Sequence, residues 1–354
     1  MADTLSDIRR KIDALDQRLV QLLSARARLA QQAWRAKNGA AAYKPEREAQ
    51  VLRRVRELNA GPLSGAALDR LFTEIMSACR ALEDQLTVAY LGPEGTFSQE
   101  AVIKHFGSAT GAQPQASIDE VFRAVETGAA GYGVVPVENS TEGAVGRTLD
   151  LLLHTSARIC GEVMLPVRQC LMSVARNRGD IRVVYSHTQS LAQCQNWLSR
   201  HLPQAERVAV VSNAEAARLA GKDKKTAAIA SRTAAALYGL RLLARNIEDD
   251  PKNTTRFAVL GSEDVPPSGR DKTSLVLSTR NVPGAIHDLL TPLARHGVSM
   301  TRLESRPART GRWEYLFYVD IEGHCQDPRV AKALASLECK AAFLKILGSY
   351  PASS

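Results

Sequence analysis

From Leu5 to Arg35 the apolar side chains keep one period. Ile8, Ile12, Leu15, Leu19, Leu22, Leu29 and Ala33 recur at steps of three, four or seven, the spacing that draws one stripe along an α-helix. Nothing breaks the pattern before Gly39, which predicts one helix of about 33 residues, roughly 50 Å long at the α-helical rise. Pro45 opens a second helical stretch stopped by Asn59-Ala60-Gly61-Pro62, and Ser64 can cap a third running to about Leu86. The long helix cannot bury its stripe against two shorter neighbours alone. The stripe is therefore expected to pack against a second chain, as in an intertwined homodimer.

From Thr87 the period changes. Residues 87–91, 133–137, 181–185, 207–211 and 226–230 are short β-prone runs, most of them followed by polar loops and helical patterns, and Ser117-Ile118-Asp119-Glu120 is a capping box. Such alternation predicts a two-lobed α/β region with ligand-bearing loops at the strand ends. Pro266-Pro267-Ser268-Gly269 reads as a stiff spacer. Beyond it the pattern is strand, helix, two strands, helix and strand, the α+β ferredoxin-like βαββαβ order.

Composition narrows the function. A chain of 354 residues, 45% hydrophobic, is too long for one core of ordinary size, so two or three domains are expected. The formal charge of +9 invites a nucleic-acid reading, but aromatic residues make up 5% and residues 1–86 hold 15 basic and 11 acidic side chains. No concentrated basic surface with stacking platforms follows. With no long apolar run and a charged leading segment, neither a membrane span nor a secretory signal is expected, and a cytoplasmic location is. Six cysteines without a CxxC pair and seven histidines without HExxH argue against a structural zinc site and a disulfide framework, and no cofactor is expected.

Most basic residues of the first helix suit a solvated face. Arg26 and Lys37, eleven positions apart, point within about 20° of each other with Cα atoms some 16 Å apart, and could grip opposite ends of one small dianion. Arg9 lies about 25 Å from Arg26 along the axis and could reach such a site only from a partner chain. The segment "IRRKIDALDQRLVQLLSARARLAQQAWRAK" followed by "PERE" resembles the all-helical chorismate mutase domain, over residues 1–86. The resemblance implies that Arg26, Lys37 and Arg47 bind the carboxylates and ether oxygen of chorismate, that Glu48 binds its hydroxyl, that Cys79 lines the site, and that Arg9 enters from the other subunit. A Claisen rearrangement needs a folded substrate and donors where the ether oxygen gains charge. Glu83 stands where the family often has glutamine, and it donates only when protonated. Mutase activity is therefore expected to fall as Glu83 loses its proton.

In the central region, Gly92-Pro93-Glu94-Gly95-Thr96-Phe97-Ser98 joins a strand to a helix, Pro136 stands inside a β run ahead of Glu138-Asn139-Ser140-Thr141-Glu142, and Ser186-His187 follows another strand. Alone each signal is weak. In order, "YLGPEGTFSQEA", "GVVPVENSTEGAV", "YSHTQSLAQC", "AAIAS" and "NTTRFAVL" resemble prephenate dehydratase over residues 88–262. The resemblance implies two lobes similar to periplasmic binding proteins, with Thr255 as the acid that protonates the departing ring hydroxyl while carbon dioxide leaves. Arg256 would meet a substrate carboxylate unless strand alternation turns it to the other face. Glu138, Asn139, Ser186 and Gln193 would line the cleft of this prephenate site.

Residues 272–350 carry Asn281-Val282-Pro283-Gly284-Ala285-Ile286-His287 and Thr301-Arg302-Leu303-Glu304-Ser305-Arg306-Pro307, segments that resemble an ACT domain of the phenylalanine-responsive kind. Implied effector contacts are Gly284, Ala285, Ile286 and His287 with Glu304, Ser305, Arg306 and Pro307 near a dimer interface. Gly284 permits close backbone approach, and a helix N-terminus suits an amino acid carboxylate. The expected function is a bifunctional enzyme of phenylalanine biosynthesis, inhibited by L-phenylalanine. The competing class is a non-catalytic amino-acid or small-molecule sensor built from binding-protein-like lobes and an ACT domain.

Overall fold

The computed structural model describes residues 3–36, 43–83, 85–279, 282–308 and 315–353. The chain forms two compact units, residues 1–86 with 105–111, and residues 87–104 with 112–354.

The first unit is helical. Helix α1 (Leu5–Ala36) is the single long helix that the apolar spacing predicts, α2 (Pro45–Glu57) begins at its proline, and α3 (Gly65–Arg80) is capped by Ser64, whose Oγ accepts from Ala67 N at 3.2 Å. Asn59 ties the α2–α3 turn through Leu63 O and Gly61 N. No described residue of α1 is buried within the chain, and Leu15 and Leu29 are 57% and 64% exposed. Where the unit closes, Tyr43 is buried beneath the Arg80 guanidinium and its hydroxyl meets His105 Nε2 at 2.6 Å. Burial, helped by the Arg80 charge, pushes the His105 imidazole down to about 4, so it is neutral at physiological pH.

The second unit opens with β1 (Thr87–Leu91), α4 (Phe97–Phe106), β2 (Gly111–Gln115), α5 (Ile118–Glu126), β3 (Tyr132–Asn139), β4 (Gly143–Ala144), α6 (Gly146–His154) and β5 (Arg158–Pro166). A second lobe follows with β6 (Cys170–Ser173), β7 (Val183–Ser186), α7 (Thr188–Gln193), α8 (Gln195–His201), β8 (Glu206–Ala209), α9 (Asn213–Ala220), β9 (Thr226–Ala230), α10 (Arg232–Leu237) and β10 (Arg241–Arg245). The chain then returns to the first lobe as β11 (Thr254–Gly261). The first sheet has the order β2-β1-β3-β11-β5 with β4 on β3, and the second has β10-β6-β9-β7-β8. The predicted capping box is present at α5, where Ser117 Oγ accepts from Glu120 N at 3.2 Å.

Beyond β11 lie β12 (Asp271–Ser278), α11 (Ala285–Arg295), β13 (Met300–Pro307), β14 (Tyr315–Glu322), α12 (Pro328–Glu338) and β15 (Phe343–Pro351), in sheet order β13-β14-β12-β15. This is the βαββαβ arrangement expected. Strand alternation gives the sheet two apolar faces. Leu275, Leu277 and Val319 meet Leu289, Leu293, Val330 and Leu334 of the helices. Val276, Tyr318, Leu347 and Tyr350 instead join Leu149, Leu152 and Ile159 of the first lobe. The Pro266–Gly269 segment is no free spacer: the Val265 carbonyl accepts from buried His324 Nε2 at 2.8 Å, and Ser268 Oγ donates to Asp271 at 2.6 Å.

Strand β15 passes against β5 so closely that a Cβ on Gly348 would overlap the Ile159 carbonyl. Both partners are backbone and neither can rotate away. Gly348→Ala is expected to destabilise the second unit by about 2 kcal/mol or more, read as a lowered urea midpoint.

Candidate active sites

In the helical unit, Arg26 Nη1 donates to Cys79 Sγ at 3.0 Å, so two of the residues named from sequence meet between α1 and α3. Glu48 pairs with Arg80, whose other guanidinium nitrogen donates to the Phe106 carbonyl. Arg80 is nearly buried, and the sequence reading missed it because on α3 it reads as one more basic helix residue. Arg9 and Arg47 are exposed, Glu83 is half-buried in the turn after α3, and Lys37 lies outside the described residues.

The first lobe builds its part of the cleft on β3 and β11, which pair antiparallel with Asn139 opposite Thr255 and Glu138 opposite Arg256. The register slips between Arg256 and Phe257, leaving Val137 as the extra residue of a β-bulge. Plain alternation from Val135, a core residue, would place Val137 and Asn139 together on the face that the C-terminal sheet covers. The bulge changes this for the residues that follow it: Val137 keeps that face, Glu138 joins it, and Asn139 moves to the opposite face, beside Thr255 of β11. Pro136, unable to donate to a ladder, sits beside the irregularity.

Asn139 can adopt one orientation. Its Oδ1 accepts from Thr141 N at 3.0 Å, Thr141 Oγ1 at 2.6 Å and Glu142 N at 3.2 Å, and backbone N–H groups can only donate. Its Nδ2 must therefore face Thr255 Oγ1 at 2.8 Å and Asn253 Oδ1 at 2.9 Å. Thr255 Oγ1 accepts this hydrogen bond, which leaves its own proton for another acceptor.

Across the cleft, Ser186 Oγ lies 2.9 Å from Asn213 Oδ1 and 2.7 Å from the Ile229 carbonyl. Asn213 Nδ2 donates to Ser190 Oγ at 2.9 Å, Gln169 Nε2 to the same oxygen at 3.0 Å and to Gln193 Oε1 at 3.2 Å. Ser186 and Gln193 are thus two ends of one polar chain whose middle members, Asn213, Ser190 and Gln169, carry no motif that reveals them in sequence. His187 caps α7 through Nδ1, which accepts from Gln189 N at 3.4 Å. At the crossing between lobes, Val167 N donates to the Asn253 carbonyl at 2.9 Å. Gln169 Oε1 and Asn253 Nδ2 are buried there without a partner among the described residues.

Two residues expected in the cleft leave it. The Arg256 guanidinium, 10% exposed, is consumed by Glu162 Oε2 at 2.9 Å, the Tyr350 hydroxyl at 2.9 Å and Asp320. Glu162 also holds Lys272 Nζ at 2.7 Å, and Ser274 donates to Asp320. Strand alternation, with Thr255 in the cleft, forces Arg256 to the other side. Glu138 follows it because of the bulge, and accepts from Arg302 Nε of β13 at 2.6 Å.

In the C-terminal sheet, Gly284 adopts φ +80° at the start of α11, with open space where a Cβ would stand, and Ile286 and His287 are exposed. Ala285 begins the helix, and Asn281 lies outside the described residues. Along β13, Arg302, Glu304 and Arg306 share the half-buried face, while Ser305 and Pro307 are exposed on the other. Arg306 donates to Asp150 of α6 at 2.9 Å, which commits its guanidinium to the first lobe.

A cleft of hydroxyl and amide side chains between two α/β lobes, joined to an α+β domain and a separate helical unit, defines a multidomain enzyme acting on small polar molecules. Residues 8–84 match chorismate mutase type II, 88–265 match prephenate dehydratase and 273–339 match the ACT domain. The chain is 52% identical over 358 residues to a bifunctional chorismate mutase/prephenate dehydratase of Stutzerimonas stutzeri, covering 99% of this chain and 98% of that one. It belongs to the bifunctional chorismate mutase/prephenate dehydratase family. Among solved structures, prephenate dehydratase of Arthrobacter aurescens in complex with L-Phe is similar with a TM-score of 0.70 at 35% identity, covering 75% of this chain and 90% of that one. A quorum quenching acylase, GqqA, gives a TM-score of 0.70 at 32% identity over 75% of this chain and 98% of its own.

Burial pushes the Asp320 carboxyl up, but the Arg256 charge with hydrogen bonds from Arg256 and Ser274 outweighs it and holds the group below the ordinary carboxylate range. Such a group adds stability that is complete above its unfolded pKa, about 3.9, and that is lost as pH falls through the lower folded value. Arg256→Met is therefore expected to cost about 3–5 kcal/mol at neutral pH, with the deficit shrinking as pH falls toward ~4, because burial without its cation makes Asp320 protonate above its unfolded value in the variant, and shrinking further below that as the parent loses its own share. Urea titrations at several pH values check this, and the KM of the dehydratase step is expected to stay unchanged.

Proposed function

We propose that the chain rearranges chorismate to prephenate in its helical unit, then dehydrates and decarboxylates prephenate to phenylpyruvate in the two-lobed cleft, with L-phenylalanine bound at the C-terminal domain as feedback inhibitor. Family membership supports both activities, and the Asn139–Thr255 hydrogen bond carries the assignment of the second site.

In the helical unit, Arg26, Arg47 and Lys37 hold the substrate carboxylates and ether oxygen, with Arg9 supplied by a second chain. The exposed leucines of α1 support a homodimer formed along that helix. Glu48 is braced by Arg80, and the Arg26–Cys79 contact fixes one cation toward α3. The rearrangement breaks the ether C–O bond as a C–C bond forms, and the developing negative charge on oxygen calls for cations and a protonated Glu83.

In the cleft, the Thr255 proton passes to the ring hydroxyl, which departs as water. The electrons of the breaking carboxyl C–C bond enter the ring, carbon dioxide leaves, and aromatisation drives the step. A threonine hydroxyl is a weak acid, and the hydrogen bond from Asn139 stabilises the oxygen that loses the proton. Ser186 and Gln193 orient the substrate from the second lobe. Asn253 belongs to the Asn139 group and Gln169 to the Gln193 group, and unpaired buried polar atoms such as Asn253 Nδ2 and Gln169 Oε1 are costly until a polar ligand satisfies them. The setting is cytoplasmic metabolism, and no helix among the described residues is long and apolar enough to cross a membrane.

Thr255→Ala is expected to lower dehydratase turnover by about 100-fold or more while mutase turnover persists. Equal loss of both activities would count against Thr255 as the acid, and prephenate binding without turnover in the parent would favour a sensor. Separately, Glu83→Gln is expected to flatten the decline of mutase activity with rising pH, measured as kcat against pH. An unaltered profile removes Glu83 from the mechanism.

A further inference from the structure

The C-terminal sheet meets the first lobe through several polar contacts, and most end far from the cleft motif. Lys272 reaches Glu162, Arg306 reaches Asp150, and Lys345 Nζ caps the carbonyls of Leu152, Leu153 and Thr155 after α6. The Arg302–Glu138 pair differs. Glu138 immediately precedes Asn139, at the end of β3, with the bulge on its other side. Among the described residues it is the ion pair that reaches the strand carrying Asn139.

The surroundings of Arg302 suit a contact that can be remade. Its side chain is 11% exposed against 37% for Glu138, so the cation is largely desolvated and depends on its carboxylate. Nη2 is buried with no acceptor among the described residues. Directly across from Arg302 in the β13–β14 register stands Asp320, on the same face of the sheet. Rotation toward Asp320 would break the bond to Glu138, the side-chain bond that Arg302 makes among the described residues. Glu304 and Arg306, both in the segment expected to bind the effector, share this face of β13 at two-residue steps. Displacement of β13 by a bound amino acid therefore moves the root of Arg302.

Building on the dehydratase and effector assignments above, we propose that Arg302 is a positioning residue supplied by the C-terminal domain. By holding Glu138 it fixes the end of β3, and through the next residue it sets Asn139 against Thr255. Effector occupancy acts on the cleft by weakening this pair. The reach is one ion pair plus one peptide unit, short enough for a small strand movement to spoil a 2.8 Å hydrogen bond at the reacting hydroxyl.

The test uses the full-length chain. Arg302→Met and Glu138→Gln break the pair from opposite sides, and Lys345→Met removes an anchor of the same interface that does not touch β3. Dehydratase kcat and KM with and without saturating L-phenylalanine, mutase turnover, and L-phenylalanine binding by calorimetry are measured for each. Both pair variants are expected to bind L-phenylalanine as the parent does and to keep mutase turnover, with an effector response of about fivefold or more collapsing below about twofold. The loss should fall on kcat rather than KM, and Arg302→Lys should restore part of the response. Lys345→Met should respond as the parent does. Retained inhibition in either folded pair variant, or an equal loss in Lys345→Met, overturns the proposal. A parent enzyme without dehydratase turnover, or one that binds L-phenylalanine without responding, overturns the underlying assignments as well, and is seen before any variant is made.

Discussion

The Arg256 guanidinium draws together segments 94, 64 and 94 residues away from it: β5 through Glu162, β14 through Asp320 and β15 through Tyr350. A cation this buried is tolerated only when its donors are answered, so these strands must arrive in one register if the second unit is to close. With Lys272 on Glu162, two cations face two carboxylates and the cluster is internally neutral. The apolar contact between Tyr318, Leu347 and Leu152 can tolerate a small slide, whereas the charge cluster cannot. It therefore fixes where the C-terminal sheet sits, and Arg302 lies opposite one of its members.

The same strand that supplies the anchor supplies Thr255, the proposed acid. Thr255 and Arg256 are consecutive on β11, so one faces the cleft and the other the docking surface. A one-residue slip would exchange them and bury the hydroxyl while exposing the cation. The long pairing of β11 with both β3 and β5 guards against such a slip, and its two register shifts place the extra residues on those neighbours, opposite Arg256 on β3 and near Leu260 on β5. Catalytic placement and domain docking are thus two readings of one register.

The sequence made the three territories legible because their periods differ: a long 3.6-residue stripe, then strand and helix alternation, then βαββαβ. Caps at Ser64 and Ser117 are local chemistry and could be read directly. Strands β2, β4, β5, β6 and β10 escaped notice; Glu162 interrupts the apolar run of β5, and arginines bound the half-buried β10. Thr255, Asn139, Ser186 and Gln193 were reachable through ordered motifs. Arg256 and Glu138 misled for a physical reason: motif membership says a residue matters but not which way it faces, and the bulge at Val137 inverts the alternation that would otherwise predict it. Arg80, Gln169 and Asn213 act through partners distant in sequence, which leaves no local signal.

The excess of positive charge also changes meaning once the partners are known. Arg56 is bidentate to Asp69, Arg80 pairs with Glu48, Arg168 with Glu248, and Arg256, Lys272, Arg302 and Arg306 all bind carboxylates of other elements. These cations join helix to helix and domain to domain, so they are poor candidates for a ligand surface. Arg9, Arg26 and Arg47 pair with no carboxylate among the described residues. A surplus that lies in unpaired arginines on helices α1 and α2 is what a site for a small dianion requires, because a cation already answered by a carboxylate has little attraction left to offer a substrate.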